Sequence, residues 1–181
     1  MSAERSDKEL WERLKMGDEM VFKYIYQSHL QSLFRYGRQF STDEELIKDC
    51  IQDLFLRLHQ HSHSLRQVDN IKIYLFISLK NALLNQEKRK INYARHVDNL
   101  YKASETSVEE NTLERAEEAL ASSQRFDRLT ALLTARQREI VHCRFVEGMS
   151  IPDIGILMDM NPQSVSNVLY RSLSRLKMEL K

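Results

Sequence analysis

Four glycines and two prolines in 181 residues leave little punctuation for a protein of many short strands and tight turns. Sheet-rich folds mark their turns with those residue types, so their scarcity points to helices. Only two cysteines occur, Cys50 and Cys143, which excludes a disulfide framework. Each sits among apolar neighbours on a different helical pattern, as reduced, buried thiols of a cytoplasmic protein do. No apolar run approaches the length of a membrane span, so no membrane insertion is expected, and Met1-Ser2-Ala3-Glu4-Arg5-Ser6-Asp7 is not a signal peptide. An excess of charge of one sign is also missing, since 27 Lys and Arg against 26 Asp and Glu give a net +1. A protein that held duplex DNA unaided would carry a strong positive excess to displace counterions. Any DNA contact here is therefore weak, or another protein supplies most of the affinity. The sequence has no Gly-x-x-x-x-Gly-Lys, Gly-x-Ser-x-Gly or His-Glu-x-x-His pattern, and no constellation that looks catalytic or that calls for a cofactor. Its carboxylates fall at helix caps, in a linker and on helix faces, so the chain reads as a non-enzyme.

What is present is helical period, and the fold expected is all-α. Ser6 with Glu9 makes a capping box for a short first helix ending near Met16-Gly17. A longer helix follows over 18–38, with Val21, Phe22, Ile25, Leu30, Leu33 and Phe34 on its apolar side. Thr42 with Glu45 predicts a second capping box, opening a helix that runs to Gln60 with the stripe Ile47, Cys50, Ile51, Leu54 and Leu58 inward. Asp49, Gln52, Asp53 and Leu56 fall at i, i+3, i+4 and i+7 on a different face. Two carboxylates, an amide and an outward leucine suit a docking surface for a basic partner helix; a solvated face with one stray leucine fits the pattern as well. In the polar loop that follows, His59, His61 and His63 alternate. Neither a cysteine nor a carboxylate pair completes a metal shell, and a solvated loop is expected.

The next helix, over 70–90, buries Leu75, Leu79, Ala82 and Leu83. Opposite run Tyr74, Ser78, Asn81, Asn85 and Lys88, ending in Lys88-Arg89-Lys90. Aromatic rings stack on unpaired bases, amides bond their edges and cations neutralise phosphate, so this face suits nucleic acid. An ordinary polar face, with a basic end favoured by the helix dipole, is the alternative. From Ala103 to Ser122 the composition shifts: Glu105, Glu109, Glu110, Glu114, Glu117 and Glu118 face only Arg115. This is a linker, with a capping box at Ser107 and Glu110, and it marks a domain boundary. Three segments are expected: 1–95, a linker at 96–122, and 123–181.

Phe126, Leu129, Leu132 and Leu133 begin the last segment as one helix face, and Thr134 with Gln137 caps the next helix, which stops at Gly148. The last thirty residues then read as two short helices joined by a turn at Asp159-Met160-Asn161, the pattern of a helix-turn-helix. Ser150 caps the first, with Pro152 tolerated in its first turn; Asn161 caps the second, with Pro162 next. Met160 and Val165 fall at hydrophobic-staple positions. Gly155 is read as letting the two helices cross closely. Val165, Val168, Leu169, Ser172 and Leu176 face inward, leaving Gln163, Ser166, Asn167, Tyr170, Arg171 and Arg175 outside with groups that read base edges and phosphates. A helical hairpin in an ordinary core is the competing reading of this spacing.

Several stretches together resemble a bacterial RNA polymerase sigma factor of the small, two-domain extracytoplasmic-function (ECF) group. Gly17-Asp18-Glu19 with Phe22 and Tyr26 is similar to the family's opening. Asp49-Cys50-Ile51-Gln52-Asp53-Leu54-Phe55-Leu56-Arg57-Leu58 resembles the segment that binds the clamp helices of the polymerase β′ subunit. Tyr74-Leu75-Phe76, Lys80-Asn81 and Lys88-Arg89 resemble the segment that recognises the −10 promoter element. Leu133-Thr134, Arg138-Glu139, Arg144-Phe145 and Glu147-Gly148-Met149-Ser150 look like the lead-in to the −35-reading helix. The resemblance implies two small helical domains, the second a four-helix domain with the helix-turn-helix. It implies docking on core RNA polymerase (β′ clamp helices and β flap) through Asp49, Gln52, Asp53 and Leu56. It implies −10 contacts from Ser64, Leu65, Arg66, Tyr74, Ser78, Lys80, Asn81, Asn85, Lys88 and Arg89, the 64–66 loop cradling an extruded base. And it implies −35 contacts from Gln163, Ser164, Ser166, Asn167, Tyr170, Arg171 and Arg175. Many members are held inactive by an anti-sigma factor, so such a partner is plausible here. The chain departs from the family pattern at Tyr74, where tryptophan is common, and at Asp159, where glycine usually makes the turn. Ser166 and Val168 also stand at positions often basic. The rival is a helix-turn-helix regulator of the response-regulator output type, acting without polymerase docking. The N-terminal half lacks the alternating strands and helices of a receiver, which counts against that rival.

Overall fold

The structure, a computed structural model, describes residues 6–98 and 132–179, with side chains described through residues 89 and 178. Among the described residues all regular structure is helical: α1 (Asp7–Lys15), α2 (Glu19–Gly37), α3 (Glu44–Gln60), a 3₁₀ turn (Ser62–Ser64), α4 (Ile71–Asp98), α5 (Ala135–Phe145), α6 (Ile151–Met158) and α7 (Pro162–Glu179). The linker and the expected helix around Phe126 and Leu129 lie outside the described residues.

Helix starts follow local chemistry. The Ser6/Glu9 and Thr134/Gln137 capping boxes both form. Asp18 caps α2, its carboxylate accepting from the Met20 and Val21 N–H groups, and the Arg13 side-chain hydrogen bond holds that carboxyl below its ordinary range. The expected Thr42/Glu45 box is replaced by a cap one residue later. Asp43 accepts from Leu46 N at 3.0 Å while its own N–H donates to Ser41 Oγ. A carboxylate is a stronger acceptor than a hydroxyl at the positive end of a helix, which moves the start. Helix α4 is also longer than its apolar period suggests, continuing past residue 90 and through 96–98, where the linker was expected to begin.

The first core lies between α2, α3 and α4, where Ile25, Leu33, Tyr36, Ile47, Leu75, Phe76, Leu79 and Leu83 are all buried. Helix α1 closes one end of it with Trp11 and Leu14. Each such side chain contributes about 1.5–3 kcal/mol through apolar burial. Gly37 sets the α2–α3 distance: a Cβ there would stand 2.6 Å from Ile47 Cγ2. The second core packs α5, α6 and α7 around Ile140, Cys143, Ile154, Leu157, Val165 and Leu169. The two helix sets touch, with α4 packed against α6.

Candidate functional site

Three surfaces carry the residues singled out in the sequence. On α3, Asp49, Gln52, Asp53 and Leu56 are all exposed, opposite the buried stripe Ile47, Cys50, Ile51, Leu54 and Leu58. Leu56 keeps half of its surface in water. Asp53 meets Arg57 at 3.7 Å, one turn on, with both side chains exposed. Such a pair is worth only about 0.3–0.5 kcal/mol, so an incoming cation can displace it. The face is thus acidic, weakly compensated, and centred on an uncovered leucine.

The second surface is built on the 61–70 loop and α4, and α1 holds it in place. The Trp11 indole N–H donates to the Arg66 carbonyl oxygen at 2.8 Å, and the ring meets Tyr74 edge-on at 4.9 Å. Asp7 accepts from the Ile71 N–H at 2.8 Å and Asn70 from Ile73 N at 3.0 Å, so α4 starts from a side chain of α1 as well as its own cap. The histidine loop is only partly solvated: it contains the 3₁₀ turn, whose Ser62 is buried, while His61 and His63 are exposed. The described residues hold no cluster suited to a metal ion. A pocket of about 230 Å³ opens between α3, this loop and α4, lined by Leu65, Tyr74 and Ser78 together with Arg57, His61, Cys50, Leu54, Leu58 and Ala82. It lies below the ~300–1,000 Å³ usual for drug-sized ligands. Ser64, Arg66, Asn81, Asn85, Lys88 and Arg89 are exposed; Leu65, Tyr74 and Ser78 are half-buried.

The third surface is the outer face of α7. Ser150 caps α6 by accepting from Asp153 N, and Asn161 caps α7 by accepting from Ser164 N at 2.8 Å. Asp159 takes the left-handed conformation (φ 51°, ψ 56°) between them. Gly155 does not serve a helix crossing, as the sequence suggested. A Cβ on it would stand 2.7 Å from the Met160 carbonyl oxygen, and the Met160 N–H donates to Gly155 O at 2.8 Å. The glycine therefore admits the turn itself. Val165, Leu169 and Ser172 are buried and Val168 and Leu176 half-buried, which leaves Gln163, Asn167, Tyr170, Arg171 and Arg175 outward, while Ser166, expected outside, is half-buried. Tyr170 is 74 % exposed. Gln163 donates to Asn167 Oδ1, Ser166 to Pro162 O and Arg171 to the Asn167 carbonyl. All three bonds are short-range, spanning one turn of the helix. Ser164 is half-buried beside the cap.

Lys80 stands apart from the other −10 candidates. Its ammonium group donates to Glu139 Oε1 of α5 at 2.8 Å and approaches Met158 Sδ of α6 at 3.7 Å. Glu139 also accepts from the Tyr36 hydroxyl at 2.6 Å. Beside it the buried Glu147 accepts from the Ser32 hydroxyl and from Arg35 Nε at 3.2 Å, and pairs with Lys72 at 3.1 Å. Lys72 donates to the Glu147 carbonyl as well, at 2.7 Å, and His142 Nε2 lies 3.6 Å from the carboxylate. Burial pushes the Glu147 carboxyl up, but hydrogen bonds from His142, Ser32 and Lys72 outweigh it and hold the group at about 2. Burial, then the charge of Glu139, raises the Tyr36 phenol far above its ordinary value. Trp11 is missing from the sequence reading, and Glu139 and Glu147 enter it only within the lead-in to the helix-turn-helix, with no role of their own. Trp11 could have been suspected as the chain's only tryptophan, on a short helix beside Leu10 and Leu14; no period marks the glutamates.

The Sigma-70 region 2 family pattern matches residues 25–91 and the Sigma-70 region 4 pattern residues 123–176. The ECF RNA polymerase sigma factor SigM of Bacillus subtilis (strain 168) is 21% identical over 158 residues, covering 87% of this chain and 94% of SigM. Two solved structures share the fold. The sigma factor RpoE of Bartonella quintana, in complex with the anti-sigma factor NepR, has a TM-score of 0.63 at 20% identity, covering 88% of this chain and 96% of that one. CnrH in complex with the cytosolic domain of CnrY has a TM-score of 0.67 at 17% identity, covering 97% of each chain. No described helix is long and apolar enough to cross a membrane. With both sigma regions present in order and the helix-turn-helix formed, the chain belongs to the ECF sigma factors, which bind core RNA polymerase and direct it to promoters.

Proposed function

We propose that this sigma factor divides its work among the three surfaces. The α3 face at Asp49, Gln52, Asp53 and Leu56 docks on the β′ clamp helices, and the C-terminal unit meets the β flap. The α4 face and the 64–66 loop read the −10 element as it melts, and the outer face of α7 reads the −35 element. The pocket lined by Leu65, Tyr74 and Ser78 is the observation that carries this reading, because it lies between the loop and the helix assigned to the opened strand. Extruding a base costs a few kcal/mol. Stacking on an aromatic ring returns about 1–3 kcal/mol, and bonds to the base edge return more. Asn81 and Asn85 supply exposed amides, and Lys88 and Arg89 exposed cations, one and two turns further along. Charge complementarity with a basic partner supports the docking face, and the net charge of +1 supports reliance on that partner for promoter affinity.

On this reading the domains are 1–95 and 123–181 with 96–122 as tether. The chain works in the cytoplasm, catalyses no reaction itself and needs no cofactor. The sigma factors of similar fold described above include one bound to an anti-sigma factor, and an inhibitor of that kind is a fitting partner here. Run-off transcription with purified core polymerase over a library of promoter sequences tests the assignment. Selection of transcripts sharing −10 and −35 elements is the expected result; core enzyme gaining no selectivity from the chain is the contrary one.

A further inference from the structure

Arg57 belongs to the stretch whose resemblance points to polymerase docking, yet it stands at the edge of that face. Asp53, Arg57 and His61 fall at i, i+4 and i+8, one line along α3 and its C-cap. Asp53 lies on the acidic side, whereas Arg57 and His61 both line the pocket between α3, the 61–70 loop and α4. The polar side chains lining that pocket are Arg57, His61, Tyr74 and Ser78, with no carboxylate and no side-chain amide among them. Arg57 is the one permanent cation of the four. Its guanidinium meets Asp53 at 3.7 Å, too long for a hydrogen bond, and both side chains are exposed. Among the described residues it makes no hydrogen bond, so its five N–H donors are uncommitted.

Resting on the assignment of this pocket to the opened −10 strand, we propose that Arg57 is a specificity-determining residue for the extruded base, selecting a base with two adjacent acceptors on one edge. A guanidinium presents paired N–H groups in a rigid fork, which matches two neighbouring lone pairs and not an acceptor beside a donor. Guanine offers O6 and N7. Cytosine, once unpaired, offers O2 and N3. Adenine N1 and N7 each flank an amino group, and the two thymine carbonyls flank an N–H, so neither base fills the fork. The adenine amino group would also meet a lining without a carboxylate or amide to receive it. The Asp53 contact is weak enough to give way to a base edge. The competing role for Arg57 is a cation in the last turn of α3, placed for the helix dipole. That role predicts an effect on stability and none on base choice.

The test uses the full chain, purified core polymerase and a barcoded promoter library randomised across the −10 element. Sequencing the transcripts reads the base selected at each position. Wild type should prefer guanine or cytosine to adenine and thymine at one −10 position by roughly tenfold or more, the scale of a bidentate contact, and the library tells the two bases apart. Arg57→Ala should lose that preference at that position alone. Arg57→Lys, which keeps the charge without the fork, should restore little of it. Co-purification with core enzyme should be equal for all three chains, with circular dichroism monitoring the fold. If Arg57→Ala loses helicity, Arg57→Lys alone is compared with wild type. Four results would each overturn the role of Arg57: an unchanged preference in the variants, a loss spread evenly over all positions, lost polymerase retention in a folded variant, or adenine or thymine at every selected −10 position of wild type. A wild-type chain that directs transcription without selecting any −10 element would overturn the functional reading itself, and the role of Arg57 with it.

Discussion

Trp11 and Arg66 are joined by a 2.8 Å hydrogen bond across 55 positions of sequence, from the indole N–H of α1 to the carbonyl of the loop before α4. The bond fixes the loop that forms one wall of the Tyr74 pocket, while the ring itself supports Tyr74 edge-on. Helix α1, which carries none of the proposed contact residues, thereby positions the surface proposed to read the −10 element.

Trp11→Phe keeps most of the buried aromatic surface and removes the donor. Losing this partly buried hydrogen bond costs about 0.5–1.5 kcal/mol, so thermal unfolding should shift down by a few degrees. Permanganate footprinting at a cognate promoter should show reduced −10 melting with polymerase binding unchanged. Full melting by the variant would show that the loop holds its shape without Trp11.

Asn81→Ala should lower open-complex formation more than closed-complex formation, because the exposed amide is assigned to the melted strand. Arg171→Ala should act the other way, weakening −35-dependent binding and reducing the salt dependence by about one phosphate contact. Gel shifts and footprinting at several salt concentrations separate the two. Equal losses of both complexes in Asn81→Ala would remove it from the melted-strand contacts.

Gly155→Ala places a methyl group 2.7 Å from the Met160 carbonyl oxygen, backbone that cannot yield as a side chain would. A destabilisation of about 1–3 kcal/mol is expected, on the scale of overpacking. Denaturant unfolding measures it, and loss of −35-dependent output should accompany it because Asn161 and α7 follow directly on that turn.

Glu147 sets a pH dependence. Its ordinary value is 4.5 and the folded protein holds it at about 2. A carboxyl depressed on folding contributes stability that is fully present above its unfolded value, and the contribution falls away as pH drops from about 4.5 toward 2. Thermal unfolding between pH 6 and pH 3 should therefore show an acid loss of stability that is smaller in Glu147→Gln. Parallel curves would mean that the Glu147 contacts are worth little in solution.

Much of this architecture was legible in the chain because caps and periods are local. Ser6, Thr134, Ser150 and Asn161 each announce a helix start through one side chain and the N–H two or three residues on. Asp159, standing where the family pattern has glycine, takes the left-handed turn itself. Asp43 displaced Thr42 as a cap because two adjacent acceptors competed and the charged one prevailed, a balance that spacing does not reveal. The exposure of the acidic α3 face and of the outer face of α7 was readable because each is the complement of a buried stripe on its own helix. What stayed hidden is non-local. The Trp11–Arg66 bond and the Glu139–Lys80 and Glu147–Lys72 pairs join residues far apart in sequence, and nothing periodic marks them. Lys80 was grouped with the DNA-facing residues, and only its packing against α5 and α6 sets it apart.

The central claim is that a basic element of core polymerase grips the acidic face of α3. Asp49 and Asp53 are exposed, so reversing both to arginine should leave the fold within about 0.5 kcal/mol of wild type. Co-purification with core enzyme is the direct measurement. The account predicts that the wild-type chain is retained and that the Asp49→Arg, Asp53→Arg chain, equally folded, is not. Equal retention of the two would contradict it.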